Sequence, residues 1–337
     1  MTERSAGASR SHAQAPDGAD GLGGLGEFEL IDRLVGDGQG AGGDVLVGPG
    51  DDGAVVRLDG PEVVVSTDAL VEGVHFRCDW SAATDIGRKA IAVNVSDIEA
   101  MGARPVGVVV ALSVPAHTEL RWLDDFATGV RAECAAAGVA LVGGDTTSAP
   151  QVVVTVTAFG DLAGRAAVLR SGARPGDQVA VRGLLGWSAA GLQTLRRGFA
   201  SPRAAVAAHR VPQVPYGEGA IAARAGATAM IDVSDGLLAD LDHVARASAV
   251  TFDLRSSAFA VADPVRAVAA ATGTDPLRLV LAGGEDYALA ATFPPGDLPN
   301  GWQAVGSVTV PGPDGPTVLV DSATWDGSTG FDHFGSH

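Results

Sequence analysis

Aspartate stands beside glycine and small hydroxyl residues at several places along this chain. An apolar run at 63–65 leads to Ser66-Thr67-Asp68, and one at 139–142 leads to Gly143-Gly144-Asp145-Thr146-Thr147. A third at 229–231 leads to Asp232-Val233-Ser234-Asp235-Gly236, and a fourth at 279–281 to Gly283-Gly284-Glu285-Asp286. Gly48-Pro49-Gly50-Asp51-Asp52-Gly53 is an acidic turn that enters an apolar run instead of leaving one. Each of the four runs reads as a strand that ends in acid. Carboxylates so placed are oxygen ligands for a hard cation such as Mg²⁺, which also accepts Ser and Thr hydroxyls or water. Glycine beside the acids lets phosphate oxygens approach backbone N–H groups. Without a cluster of cysteine and histidine, the pattern favours a Mg²⁺–nucleotide site over zinc. Asp and Gly at strand ends are also ordinary turn residues, so the repetition carries the argument. Asp51 reads as a turn residue, and Asp286 as either a ligand or a cap.

The acids need a scaffold. Helical periodicity begins at Glu27, and a glycine-rich loop follows at 36–43. Strands are expected at 54–58 and 62–66, and a long helix at 83–101. On that helix Asn94 and Asp97 are three apart, so both can face one site. A strand at 106–114, a helix at 119–137 and strands at 139–142 and 152–159 complete the first half. Turn chemistry at Arg170-Ser171-Gly172-Ala173-Arg174-Pro175-Gly176-Asp177 then leads into a fresh strand at 178–181. The second half reads as helices at 187–195, 216–225, 237–247 and 264–271, with strands at 228–232, 288–293, 304–310 and 317–320. Strands and helices mix without a strict βαβ rhythm. The expected class is therefore α+β, as two α/β-type domains with mixed sheets flanked by helices. The expected division is a disordered tail at 1–25, an N-terminal domain at 26–165 and a C-terminal domain at 166–337.

Composition narrows the function. In 337 residues there are 40 Asp plus Glu against 23 Lys plus Arg, a net charge of −17. Such a chain lacks the cationic footprint for nucleic acid or an anionic membrane surface. The only lysine is Lys89. It follows Arg88, so it is not the lysine of a phosphate-binding P-loop, which must follow glycine. G-x-G-x-x-G spacing occurs three times, never with a strand before and a helix after. No apolar run reaches transmembrane length. Cys78 and Cys134 form no disulfide framework, and a reducing, cytoplasmic setting is expected.

These motifs, in this order, resemble the thiamine-monophosphate kinase family of the aminoimidazole ribonucleotide synthetase-like superfamily. The likeness runs from Gly26-Glu27-Phe28 through Gly50-Asp51-Asp52, then Ser66 to Phe76, then Lys89 to Asp97. It continues at Met101-Gly102-Ala103, Gly143 to Thr147, Arg170-Ser171-Gly172 and Ile231 to Gly236. It ends at Gly283 to Tyr287 and Gly330-Phe331-Asp332-His333-Phe334. The resemblance implies an aminoimidazole ribonucleotide synthetase-like fold and transfer of the ATP γ-phosphoryl group to thiamine monophosphate, giving thiamine diphosphate. It implies a homodimer paired through N-terminal sheets, with several Mg²⁺ ions and ATP as co-substrate. On matching positions, Asp52, Ser66, Thr67, Asp68, Asp97, Asp145, Asp232 and Asp235 resemble metal ligands. Gly144, Asp145, Arg170 and Ser234 resemble ATP contacts, and His75, Glu285 and Phe331 resemble contacts to the thiamine substrate. Phe331 stands where Tyr or Trp is expected in many relatives; a stacking contact survives that change and a hydroxyl contact does not.

No residue is expected to act as a covalent nucleophile. A phosphate monoester acceptor is largely ionised at neutral pH and needs positioning and charge neutralisation more than a base. Two alternatives remain at this point. One is another ATP-dependent enzyme of the superfamily, a selenophosphate synthetase or a hydrogenase-maturation carbamoyl dehydratase, against which the internal cysteines count. The other is an acidic scaffold that holds Ca²⁺ or Mg²⁺ without turnover, against which the lack of EF-hand spacing counts.

Overall fold

A computed structural model describes residues 44–47 and 55–331. The expected tail at 1–25, the helix from Glu27, the glycine-rich loop at 36–43, Asp52 with its acidic turn, and Asp332-His333-Phe334 lie outside the described residues.

The expected α+β class holds: two main sheets with mixed strand directions are flanked by helices. A small antiparallel pair, β1 (Val45–Val47) with β2 (Val55–Val56), precedes them. The first sheet has the order β3-β6-β4-β5, from β3 (Val63–Val71), β4 (Arg104–Val114), β5 (Ala140–Ser148) and β6 (Val153–Asp161). β4 and β5 run parallel and are joined through helix α2 (Leu120–Ala137), while β6 is antiparallel to both β3 and β4. Helix α1 (Ala83–Ala100) links β3 to β4.

Strict alternation along β6 explains the packing. Val154, Val156 and Ala158 are fully buried against the helices, and the residues between them are half-buried on the opposite face. Ile91, Ile98, Leu112, Leu123 and Phe126 fill the layer between this sheet and α1 and α2. The other face carries no described helix, and Val63 and Val65 on it are 48% and 54% exposed. α1 and α2 cross closely through glycines: a Cβ on Gly87 would run into Phe126 O, and one on Gly129 into Thr84 O.

The second sheet has the order β13-β12-β9-β11-β7-β10-β8. Its strands are β7 (Gln178–Arg182), β8 (Ala229–Asp232), β9 (Thr251–Leu254), β10 (Leu289–Phe293), β11 (Gln303–Thr309), β12 (Thr317–Val320) and β13 (Ala323–Thr324). Only β9 and β12 pair in parallel. Helices α3 (Trp187–Arg196), α4 (Arg203–Arg210), α5 (Glu218–Arg224), α6 (Leu237–Ser248), α7 (Asp263–Thr272) and α8 (Pro276–Ala282) surround it. α1 lies between the two halves, which is why it is buried nearly all round.

Three sequence expectations are corrected. The acidic motifs at 66–68 and 143–147 do not end strands, because β3 and β5 continue through them. β3 pairs with β6 over nine residues, from Val63 to Val71, and its Thr and Val suit extended backbone. The run at 279–281 is helix α8, not a strand: Pro276 opens it and Asp275 caps it by accepting the Leu277 N–H at 2.9 Å. α4 and β9 had no expectation. α4 has only eight residues and β9 only four, so each is too short to fill the window over which periodicity is read.

Candidate active site

The acidic residues meet where α1 passes between the sheets. Asn94 and Asp97 lie on one face of α1 and both reach β3. Ser66 Oγ donates to Asp97 Oδ2 at 2.6 Å, and the Asp68 N–H donates to Asn94 Oδ1 at 2.9 Å. Ser66 and Asp68 are two apart on the strand and share its helix-covered face. From the second sheet, Asp232 at the end of β8 accepts a hydrogen bond from Ser96 Oγ at 2.9 Å. Asp235 follows in the turn into α6. The carboxylate of Asp240, in the first turn of α6, accepts the N–H groups of Asp235 and Gly236 at 3.1 and 3.0 Å. Asp240 thus sets the shape of the acidic turn.

Two cavities adjoin this seam. One, of about 580 Å³, is lined by Asp68, His75, Ser234, Asp235, Glu285 and Phe331, with Phe76, Trp80, Leu192 and Tyr287 as apolar wall. The other, of about 520 Å³, is lined by Ser66, Asp97, Arg170 and Asp232. The expected metal, nucleotide and substrate residues therefore fall largely into two neighbouring cavities. Thr67, Gly144 and Asp145 do not join them. Thr67 and Asp145 sit on the open face of the first sheet. β5 is also separated from β3 by two intervening strands, about 14 Å at normal strand spacing. Gly144 is on the covered face of β5, where a Cβ would run into Val110 O, so close packing on β4 accounts for this glycine.

The electrostatics follow from crowding. Burial, together with the charge of Asp68, holds the Asp97 carboxyl above its usual range, against the pull of Ser66 and Arg170. Burial and the Asp97 charge do the same to Asp232, against Ser96 and Arg170. Asp240 is pushed up to about 8 by burial and by Asp232. Arg170, in a 3-10 turn at Arg170–Gly172, is a cation near both Asp97 and Asp232. Oxygen donors with excess negative charge fit Mg²⁺. Among the described residues, however, no three His, Cys, Asp or Glu side chains converge as a ready-made metal site.

The substrate-side wall is held by a network across the chain. Lys89 on α1 is 2% exposed, and its Nζ donates to Glu285 Oε2 at 2.7 Å and to His75 O at 2.8 Å. Burial disfavours the Glu285 anion, but Lys89 and His209 beside it hold the carboxyl below its usual range. His209 on α4 lies 3.8 Å from Glu285 Oε2 and 3.0 Å from Ser188 Oγ. His75 Nδ1 accepts the Val71 N–H at 3.0 Å. Asp286 is a cap: it accepts the N–H groups of Gly186 and Ser188 at the start of α3. Phe331 reaches the cavity because its N–H donates to Asp235 O at 3.0 Å. Asp240, Ser96 and His209 were not singled out from sequence. An acid four residues after Gly236 in a new helix was a readable signal for Asp240, whereas His209 had none.

The site and fold define a class. Residues 50–162 match the family model for the AIR synthase related protein, N-terminal domain. The thiamine-monophosphate kinase of Mycobacterium tuberculosis is 51% identical over 313 residues, 92% of this chain and 92% of that protein. The chain belongs to the thiamine-monophosphate kinase family. A crystal structure of thiamine-monophosphate kinase from Stenotrophomonas maltophilia K279a superposes with a TM-score of 0.74 at 33% identity, covering 88% of this chain and 95% of that one. A structure described as AaThiL complexed with AMPPCP and TMP gives a TM-score of 0.73 at 30% identity, covering 93% and 98%.

Proposed function

We propose that this chain transfers the γ-phosphoryl group of ATP to thiamine monophosphate, giving thiamine diphosphate and ADP, the last step of thiamine diphosphate biosynthesis. Family membership supports the kinase activity, and the AMPPCP and TMP in a related structure support the two substrates. The observation that carries the reading is the pair of neighbouring cavities. One combines Glu285, His75 and Phe331 with apolar wall, as a heteroaromatic substrate requires, and the other gathers Asp97, Asp232 and Arg170 beside it.

The mechanism proposed is direct in-line transfer without a covalent enzyme intermediate. Asp68, Asp97, Asp232 and Asp235 would hold several Mg²⁺ ions, with Ser66 beside Asp97. Bound Mg²⁺ would neutralise phosphate oxygens and the charge that develops during transfer. Arg170 is placed to donate to a phosphate oxygen of ATP. Ser234, between the two acids of its turn, is placed to contact the nucleotide. Phe331 would stack on the substrate ring, while Glu285 and His75 fix its orientation. Because the acceptor is already ionised, no side chain needs to take a proton from it.

A homodimer paired through the open face of the first sheet belongs to the same proposal. Exposed Val63 and Val65 favour it, and pairing there would give Thr67 and Asp145, on the same face, a route to the nucleotide of a second copy. The boundary between the nucleotide and dimerisation domain and the C-terminal domain is placed at 165/166. A cytoplasmic location agrees with two free thiols, Cys78 and Cys134.

Incubation with ATP, Mg²⁺ and thiamine monophosphate tests the proposal. Thiamine diphosphate and ADP in equal amounts are expected. Intact Mg²⁺ binding with no product would instead establish an acidic scaffold.

A further inference from the structure

Glu285 is held in an unusual way. Its backbone is in the left-handed region at φ 63°, as is that of Tyr287 at φ 52°. Both positions cost strain for a residue with a side chain, and such strain persists where neighbours over-determine it. The Glu285 N–H donates to Ser234 O at 2.6 Å, and the Tyr287 N–H to Val233 O at 2.8 Å. The strained segment is therefore strapped to the acidic turn, and its carboxylate points toward α1 and α4. There it meets Lys89 and His209, from segments 196 and 76 residues earlier in the chain. A buried lysine is costly unless paired, and Lys89 divides its donors between the Glu285 carboxylate and the carbonyl of His75. His209 is 7% exposed and in turn tied to Ser188 at the start of α3.

The charge balance matters for the chemistry. The proposed acceptor carries a phosphate, which an unpaired carboxylate in the cavity wall would repel. Paired with Lys89, Glu285 presents an acceptor of fixed direction without adding a net negative charge to the wall. We propose that Lys89 and His209 are positioning residues that lock Glu285 and the His75 backbone into one rigid wall, so that they set affinity for the acceptor substrate and not for ATP. The proposal rests on the thiamine-monophosphate kinase reading. Lys89 is not part of the cavity lining, whereas His209 lines the cavity beside Glu285 and acts through that carboxylate.

The test is steady-state kinetics on the full chain, with each substrate varied in turn, for wild type, Lys89→Met, Lys89→Arg and His209→Asn. Each substitution is also made in a Glu285→Gln background. In the Glu285-containing protein, KM for thiamine monophosphate is expected to rise about 10-fold for Lys89→Met and His209→Asn, with KM for ATP within about twofold. In the Glu285→Gln background the same substitutions should add less than about twofold, since the partner they act on is gone. Lys89→Arg, which keeps the charge but moves the donors, should fall between. Equal rises in both KM values, or a full effect in the Glu285→Gln background, overturn the proposal. If Lys89→Met fails to fold, His209→Asn and Lys89→Arg decide the matter by the same criteria. Wild type that makes no thiamine diphosphate overturns the functional reading itself, and is seen before any variant is compared.

Discussion

Asp97 on α1 and Asp232 at the end of β8 lie close together: burial and the Asp97 charge raise the Asp232 carboxyl, while burial and the Asp68 charge raise Asp97. Such a pair is poorly suited to stability and well suited to gathering cations. Asp97→Asn and Asp235→Asn are expected to lower kcat by roughly 10²-fold, the scale of losing one electrostatic stabiliser. Near-normal turnover at saturating Mg²⁺ would remove them from the ligand set. His209 gives a prediction about stability. Burial and the Lys89 cation push its imidazole down to about 4, against about 6.5 in an unfolded chain. Between those values the unfolded state binds more protons, so this residue's stabilising share is present above about 6.5 and lost as pH falls toward about 4. The melting temperature of His209→Asn relative to wild type should therefore rise as pH is lowered through that window. A constant difference across the window would show that His209 does not titrate in this way.

At the scale of elements, the site depends on how closely α1 can lie against its neighbours. Gly129→Val would drive a side chain into the Thr84 carbonyl and push α1 off α2. A loss of about 1–3 kcal/mol, typical of overpacking, is expected in denaturant unfolding. Weaker Mg²⁺ binding should accompany it, because Asp97 moves with α1. Unchanged stability would mean the crossing can relax at no cost. The same elements show what was legible in sequence. Asn94 and Asp97 could be placed on one helix face from their spacing alone. The apolar run before Asp232 was correctly a short strand ending in acid. The strand ends expected at Asp68 and Asp145 were not, because threonine and glycine fit a continuing strand when a neighbour pairs with them. Leu279–Leu281 is apolar in either conformation, and only the cap formed by Asp275 and Pro276 distinguished helix from strand. The Lys89–Glu285–His209 network could not be read, since its members are held together by tertiary packing over long separations.

At the scale of the molecule, the first sheet leaves one broad face without a described helix. Val65→Asp, on that face, is expected to convert a dimer to a monomer by sedimentation, with turnover falling in parallel. A wild-type monomer at micromolar concentration, active as such, would overturn the proposed pairing. Within one copy, the site joins distant parts of the sequence: Ser96 with Asp232, Lys89 with Glu285, and Asp235 with Phe331. Synthesis proceeds from the N-terminus, so a nascent chain carries Asp68 and Asp97 long before Asp232, Glu285 or Phe331 exists. Until residue 331 has left the ribosome this cavity has no complete wall, so a ligand that needs that wall can bind only after both halves have been made.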